Sequence, residues 1–174
     1  MPEYGKKTEV NHEEYEAPDW GQSIENEPLW SEILPGLWQG GTAWEDDIRG
    51  RYALNVSGIT KELFDFVVTL YGWAKPVDWL VSEYRYAVYD SNVEHMDLER
   101  IEEIVDLAHS AWKRGEKVLI RCQAGWNRSG LVMALVLMKE GRTAQQAITL
   151  IRERRSPHAL CNNRFEKFLM KRSK

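Results

Sequence analysis

Lys117-Val118-Leu119-Ile120-Arg121-Cys122-Gln123-Ala124-Gly125-Trp126-Asn127-Arg128-Ser129-Gly130 decides how this chain is read. Lys117-Val118-Leu119-Ile120 is a short, largely apolar, β-branched run that predicts a buried strand over Val118 to Arg121, and Leu131 to Met138 is an apolar stretch of helical length that stops near Gly141. The segment between them therefore joins a strand to a helix. Gly125 and Gly130 let its backbone turn, so that successive N–H groups and the positive end of the helix converge on one concavity. Such a concavity binds anions. Cys122 at its entrance would have its thiolate stabilised by those dipoles and by Arg128, which makes it a nucleophile at neutral pH. Arg128 carries the planar fork that grips two phosphoryl oxygens at once. Cys-x5-Arg spacing alone is weak, because cysteine is often a small buried hydrophobe. The flanking strand, the flanking helix, two glycines and the hydroxyl of Ser129 turn it into a covalent phosphate-transfer site. The backbone amides of Gln123, Ala124, Gly125, Trp126, Asn127 and Arg128 are the expected phosphate ligands.

Displacing an alkoxide or phenoxide from phosphorus calls for a proton donor. Asp90, which lies 32 residues before Cys122, is the best candidate. It follows Tyr84-Arg85-Tyr86-Ala87-Val88-Tyr89, a strand by composition, and precedes the loop residues Ser91-Asn92. Glu94 and Asp97 are its rivals. Asp97 reads instead as the cap of a helix whose stripe is Leu98, Ile101, Val105, Ala108 and Trp112.

With these parts in place, the chain resembles the dual-specificity branch of the cysteine-dependent protein tyrosine phosphatases. The resemblance runs from about Ser31 to the C-terminus. Ile33-Leu34-Pro35-Gly36-Leu37-Trp38 is similar to the family's opening segment, Tyr89-Asp90-Ser91 to its acid loop, and Ile151-Arg152 with Asn162 and Phe165 to its closing helices. Low-molecular-weight phosphatases share the spacing but carry the loop near the N-terminus, the reverse of the order here. The resemblance implies an α/β fold, with a central twisted mixed or parallel sheet of about four to five strands flanked by helices. It implies that Cys122 forms a thiophosphate intermediate, that Asp90 is first acid and then base, that Arg128 holds the equatorial oxygens, and that Ser129 assists departure of the sulfur. No metal and no cofactor are implied, and the sequence has no Cys-x-x-Cys or His-Glu-x-x-His. The expected substrate is a phosphorylated protein or peptide, at tyrosine and also serine or threonine. Two alternatives stay open. Gly125-Trp126-Asn127-Arg128-Ser129-Gly130 is similar to the loop of RNA 5′-phosphatases and triphosphatases, which would make the partner an RNA 5′-end. The chain could also bind phosphate without turnover, because Arg121 stands where the family usually has histidine. A charge at the end of a buried strand needs a partner, so Arg121 is expected to pair with a carboxylate. A phosphoinositide is disfavoured, since residues 123–127 hold no lysine.

The 174 residues suit one domain, and 43% hydrophobic content is ordinary for a soluble one. No apolar run approaches the roughly 18 residues of a membrane span, and Met1 to Lys7 lacks a signal-peptide core. Two cysteines suggest a reducing compartment, hence the cytoplasm of the cell itself or of an infected host. A monomer is the default, with no membrane partner. Residues 1–112 hold 8 basic and 23 acidic side chains, while residues 113–174 hold 15 basic and 4 acidic. The nucleophile's half is thus basic, which either steers anionic substrates toward the site or marks solvated helix faces. Residues 1–30 read as an acidic, flexible or loosely docked segment, with Trp20 and Trp30 as its anchors, ahead of a catalytic domain over 31–174. Further strands are expected at Leu37 to Gln39 and Phe64 to Tyr71, and helices at 97–114, 128–140 and 143–154. Thr143 with Gln146 forms a capping box, and Asn163 is expected to open a last helix. Trp126 is placed near the substrate. His95 and Cys161 receive no role.

Overall fold

A computed structural model describes residues 27–49 and 57–172. The expected tail and Trp20 lie almost wholly outside these residues. Five strands form one sheet: β1 (Trp30–Leu34), β2 (Leu37–Gly40), β3 (Phe66–Thr69), β4 (Ser82–Arg85) and β5 (Val118–Arg121). Their order is β1-β2-β5-β3-β4, with the β1/β2 hairpin antiparallel and every other pairing parallel. Four helices follow the acid loop: α1 (Leu98–Lys113), α2 (Arg128–Lys139), α3 (Ala144–Arg154) and α4 (Asn163–Arg172). The mixed α/β architecture agrees with the sequence reading.

Alternation along β5 sorts the core into two layers. Val118 and Ile120 point to the same side as Leu37 and Val68, and there they meet the buried residues of all four helices. Leu119 points the other way, into a smaller cluster with Val67 and the loop residues Ile59, Phe64, Val77 and Val81. Trp30 closes one edge of that cluster, its ring edge-on to Phe64 at 5.3 Å. Among the described residues no helix is long and apolar enough to cross a membrane.

Helix boundaries follow the sequence signals. Asp97 caps α1 by accepting from the Arg100 N–H at 3.1 Å, and Thr143 and Gln146 make both bonds of the capping box on α3. Strand boundaries differ. The expected strand at Tyr84 to Tyr89 begins two residues earlier and ends at Arg85, although Tyr86 and Val88 still donate to Thr69 and Leu70. β3 is confined to Phe66–Thr69, shorter than its apolar run. β1 is not expected from the sequence as a separate strand: its buried positions are Ser31 and Ile33, and the polar Ser31 breaks the apolar alternation.

Candidate active site

β5 ends at the sheet's carboxyl edge, where a parallel arrangement opens a crevice. Cys122 follows directly and faces the helix side, buried. From there to the start of α2 the backbone forms a closed loop whose carbonyls are held from outside. The Cys122 carbonyl accepts from Thr42 Oγ1 at 2.9 Å, and the Gln123 carbonyl from the Thr42 N–H at 2.9 Å. The Ala124 carbonyl accepts from Arg155 Nη2 at 3.2 Å. The Gly125 carbonyl takes two bonds, from Arg155 Nε at 3.2 Å and Gln39 Nε2 at 3.1 Å. The Trp126 carbonyl accepts from the Leu160 N–H at 3.2 Å. A planar peptide points its N–H opposite to its C=O, so five outward carbonyls turn the N–H groups of Gln123 to Asn127 toward the loop's interior. The first turn of α2 adds its own free N–H groups, since Asn127 makes no side-chain cap. The result is a nest of donors for an oxyanion.

Glycine is required where this loop meets β2. Gly125 has φ +77°, and a Cβ there would lie 2.3 Å from the Gly40 carbonyl carbon; one on Gly41 would lie 2.9 Å from the Gln123 carbonyl oxygen. The consecutive glycines at the end of β2 were the sequence signal for this close approach, and Thr42 beyond them went unread.

The loop opens into a cavity of about 460 Å3, whose lining includes Cys122, Asp90, Trp126, Asn127, Arg128 and Glu27. Cys122 Sγ sits 3.4 Å from Ser129 Oγ, at the buried base of α2. Arg128, which lines this cavity, turns its guanidinium toward an adjoining pocket formed with Tyr71, Val88 and Gln123, with Nη1 donating to the Val88 carbonyl at 3.3 Å and Nη2 to Gln123 Oε1 at 3.4 Å. Its guanidinium lies 5.4 Å from the Tyr71 ring centroid, and its Nε is buried with no hydrogen-bond partner among the described residues. A buried unpaired donor on a charged group costs about 1–3 kcal/mol or more.

Asp90 is tied down at both oxygens. Asn127 Nδ2 donates to Oδ2 at 3.0 Å and Asn162 Nδ2 to Oδ1 at 2.8 Å. Asn162 also donates to the Ser91 carbonyl at 3.0 Å and sends its backbone N–H to Asn127 Oδ1 at 3.0 Å. One asparagine at the entry to α4 thereby fixes the acid loop to the anion loop. Cys161 touches the same Asn127 side chain at 3.4 Å. Glu94 and His95 sit in a 3-10 turn outside the cavity lining. The indole N–H of Trp126 donates to Glu27 at 3.1 Å, and its ring lies against His158.

Arg121 points away from all of this. It is fully buried on the opposite face, donating from Nε to Thr69 Oγ1 at 2.9 Å and from Nη2 to the Lys75 carbonyl at 2.7 Å. Its carboxylate is Glu83, at 3.4 Å. Burial pulls the Arg121 guanidinium below its ordinary pKa, and Glu83 opposes that pull. Among the described residues no cluster of histidine, cysteine, aspartate and glutamate could hold a metal ion.

Residues 74–174, more than half of the chain, match the model of the dual specificity phosphatase catalytic domain. The chain belongs to that family. No curated protein matches the sequence significantly. Among solved structures, a mouse putative dual specificity phosphatase complexed with zinc tungstate superposes with a TM-score of 0.63 at 21% identity, over 87% of this chain and 92% of that one. Human DUSP28 gives 0.64 at 22% identity over 83% and 92%. The tyrosine phosphatase OH1 of the Orf virus gives 0.56 at 15% identity over 82% and 84%. At these identities the likeness is one of fold, and the family assignment rests on the domain match.

Proposed function

We propose that this phosphatase-family chain hydrolyses phosphotyrosine, and phosphoserine or phosphothreonine, in proteins through a cysteinyl-phosphate intermediate. The observation that carries the reading is the convergence of Cys122, Arg128 and Asp90 on one cavity floored by inward amides. The Cys122 thiolate attacks phosphorus in line, forming the S–P bond as the P–O bond to the leaving group breaks, and the Asp90 carboxyl gives its proton to the departing oxygen. Water then attacks the phosphocysteine, Asp90 takes a proton from that water, and the S–P bond breaks to return the thiolate, to which Ser129 Oγ–H donates. Arg128 and the amides of Gln123 to Arg128 hold the three equatorial oxygens, whose charge is the main thing left to stabilise.

Asn127, which suggested an RNA 5′-end, spends its side chain on Asp90 and the Asn162 backbone. Its presence is accounted for without RNA. The test is turnover of an aryl phosphate in the presence of a chelator. Vanadate-sensitive hydrolysis that disappears in Cys122→Ser supports the reading, whereas full activity in Cys122→Ser, or binding of a phosphopeptide with no product on long incubation, overturns it. Cys122→Ser used as a trap against phosphopeptides and 5′-triphosphate RNA assigns the substrate class.

A further inference from the structure

We propose that Arg155, at the end of α3, is the positioning residue that sets the anion-binding loop and supplies its rear positive charge, the task that the neighbouring Arg121 does not perform. The inference rests on the phosphate reading above and adds a residue to it. Of the groups that hold the five outward carbonyls, Arg155 alone is charged, and it spans two consecutive peptides through one side chain, where Thr42 needs its hydroxyl and its backbone N–H to do so: Nε donates to Gly125 and Nη2 to Ala124, both at 3.2 Å. Those peptides carry the N–H groups of Trp126 and Gly125. Two adjacent donors on one rigid plane fix both peptides in a single orientation, which a flexible ammonium does not do. A cation on the oxygen side of a peptide also polarises it, so that the N–H on the far side becomes a stronger donor.

The remaining nitrogen, Nη1, bonds the Pro28 carbonyl and lies 3.4 Å from Ser31 Oγ, so the same guanidinium clamps the entry to β1 against the loop. Arg155 is only 6% exposed, and all its hydrogen-bond partners among the described residues are uncharged carbonyls and a hydroxyl. A buried cation with no directly bonded carboxylate is expensive. Burial accordingly pulls its pKa down, and the anions that oppose the pull are Glu27 and then Cys122. Glu27 is itself engaged by Trp126 and Ser156. Glu27 is thus the nearer counter-charge, and Cys122, on the other side of the polarised peptides, is the second that Arg155 faces.

The test uses two alkylating agents of nearly equal size, anionic iodoacetate and neutral iodoacetamide, with modification at Cys122 followed by peptide mass spectrometry. Their rate ratio, relative to that for a free thiol such as glutathione, reports the anion preference of the loop and needs no turnover. The full-length wild type should favour iodoacetate. In Arg155→Met the relative ratio should fall about tenfold, with vanadate inhibition weakened by a similar factor, the loss expected for a charged hydrogen-bonding group. Arg155→Lys, which keeps the charge and loses the fork, should fall part of the way. A thermal melt identifies which variants are folded. A folded Arg155→Met or Arg155→Lys with the wild-type ratio and wild-type vanadate inhibition overturns the proposal, and if Arg155→Met does not fold, Arg155→Lys decides. Absence of aryl phosphate turnover in the wild type counts against the enzyme reading alone, because the alkylation ratio still judges Arg155.

Discussion

Arg121 and Cys122 are neighbours in sequence and strangers in space, because side chains alternate across a strand. Cys122 faces the helices and the cavity, while Arg121 enters a polar cluster under the loops on the other face. There Glu83 is the hub: it accepts from Thr69 Oγ1 at 2.6 Å, from Arg85 at 2.9 Å and from Arg121 at 3.4 Å. The side chains of Arg121 and Glu83 are 1% and 11% exposed, so water cannot replace the carboxylate. Removing one member of such a pair leaves the other charge buried, at a cost of about 3–5 kcal/mol. Glu83→Ala is therefore expected to lower unfolding free energy by about 3 kcal/mol in urea denaturation, with Glu83→Gln losing less because its amide oxygen still accepts. A loss below about 0.5 kcal/mol in Glu83→Ala would refute Glu83 as the counter-ion. The expectation that Arg121 meets a carboxylate followed from burial alone; which carboxylate, and on which face, depended on strand pairing across the sheet.

At the level of elements, the acid loop, the anion loop and α4 meet at Asn162. Its side chain bonds Asp90 and the Ser91 carbonyl, and its N–H bonds Asn127. Asp90 is thereby held by a junction of three elements rather than by its own strand. Asn162→Ala should lower kcat for phenyl phosphate by about 10- to 100-fold, part of the 10²–10⁴ that general acids contribute. The same variant should lose much less on p-nitrophenyl phosphate, whose leaving group needs little protonation. Equal losses on both substrates would mean that Asn162 acts on the loop as a whole and not through Asp90. The helices were legible in sequence because caps and apolar stripes are local signals: Asp97, Thr143 with Gln146, and the stripe on α1 each act within a few residues. The strand reading ran past the end of β4 because Tyr86 and Val88 continue its hydrogen bonds to the Thr69–Leu70 backbone after the ladder has ended, and it missed the start because Ser82 and Glu83 are polar. Strand limits are set by the partner strand, and sequence holds no record of where that partner stops.

For the molecule as a whole, Cys122, Arg128 and Asp90 were read from their local sequence setting and line one cavity in the structure, yet the frame that surrounds them was not legible. Gln39 lies 86 residues from Gly125 in sequence, and Thr42 lies 80 from Cys122. Such contacts exist only once the sheet has closed, so stability and site geometry are linked. Asp47 makes the link concrete. Its carboxylate accepts from Arg49 Nε at 3.0 Å and Nη2 at 2.7 Å and from the Tyr71 hydroxyl at 2.7 Å, and the Tyr71 ring underlies Arg128. The hydrogen-bonded Arg49 side chain, foremost, holds the Asp47 carboxyl well below the usual carboxylate range, against the opposing effect of burial. Asp65 is lowered by Lys61 and Glu140 by Lys113, both more exposed and worth less. The unfolded chain takes up a proton on Asp47 near pH 4 and the folded chain only at much lower pH, so across that window the unfolded state binds more protons and stability rises with pH. Stability from Asp47 is fully present above about pH 5 and drains away as pH falls through the folded value. Denaturant midpoints measured from pH 7 to pH 2 should therefore fall steeply below about pH 4 in the wild type. Asp47→Asn should start about 2 kcal/mol less stable at pH 7 and show a shallower acid limb, the gap to the wild type narrowing but not closing by pH 2. Parallel curves for the two proteins would show that Asp47 does not titrate as the bonded carboxylate described here.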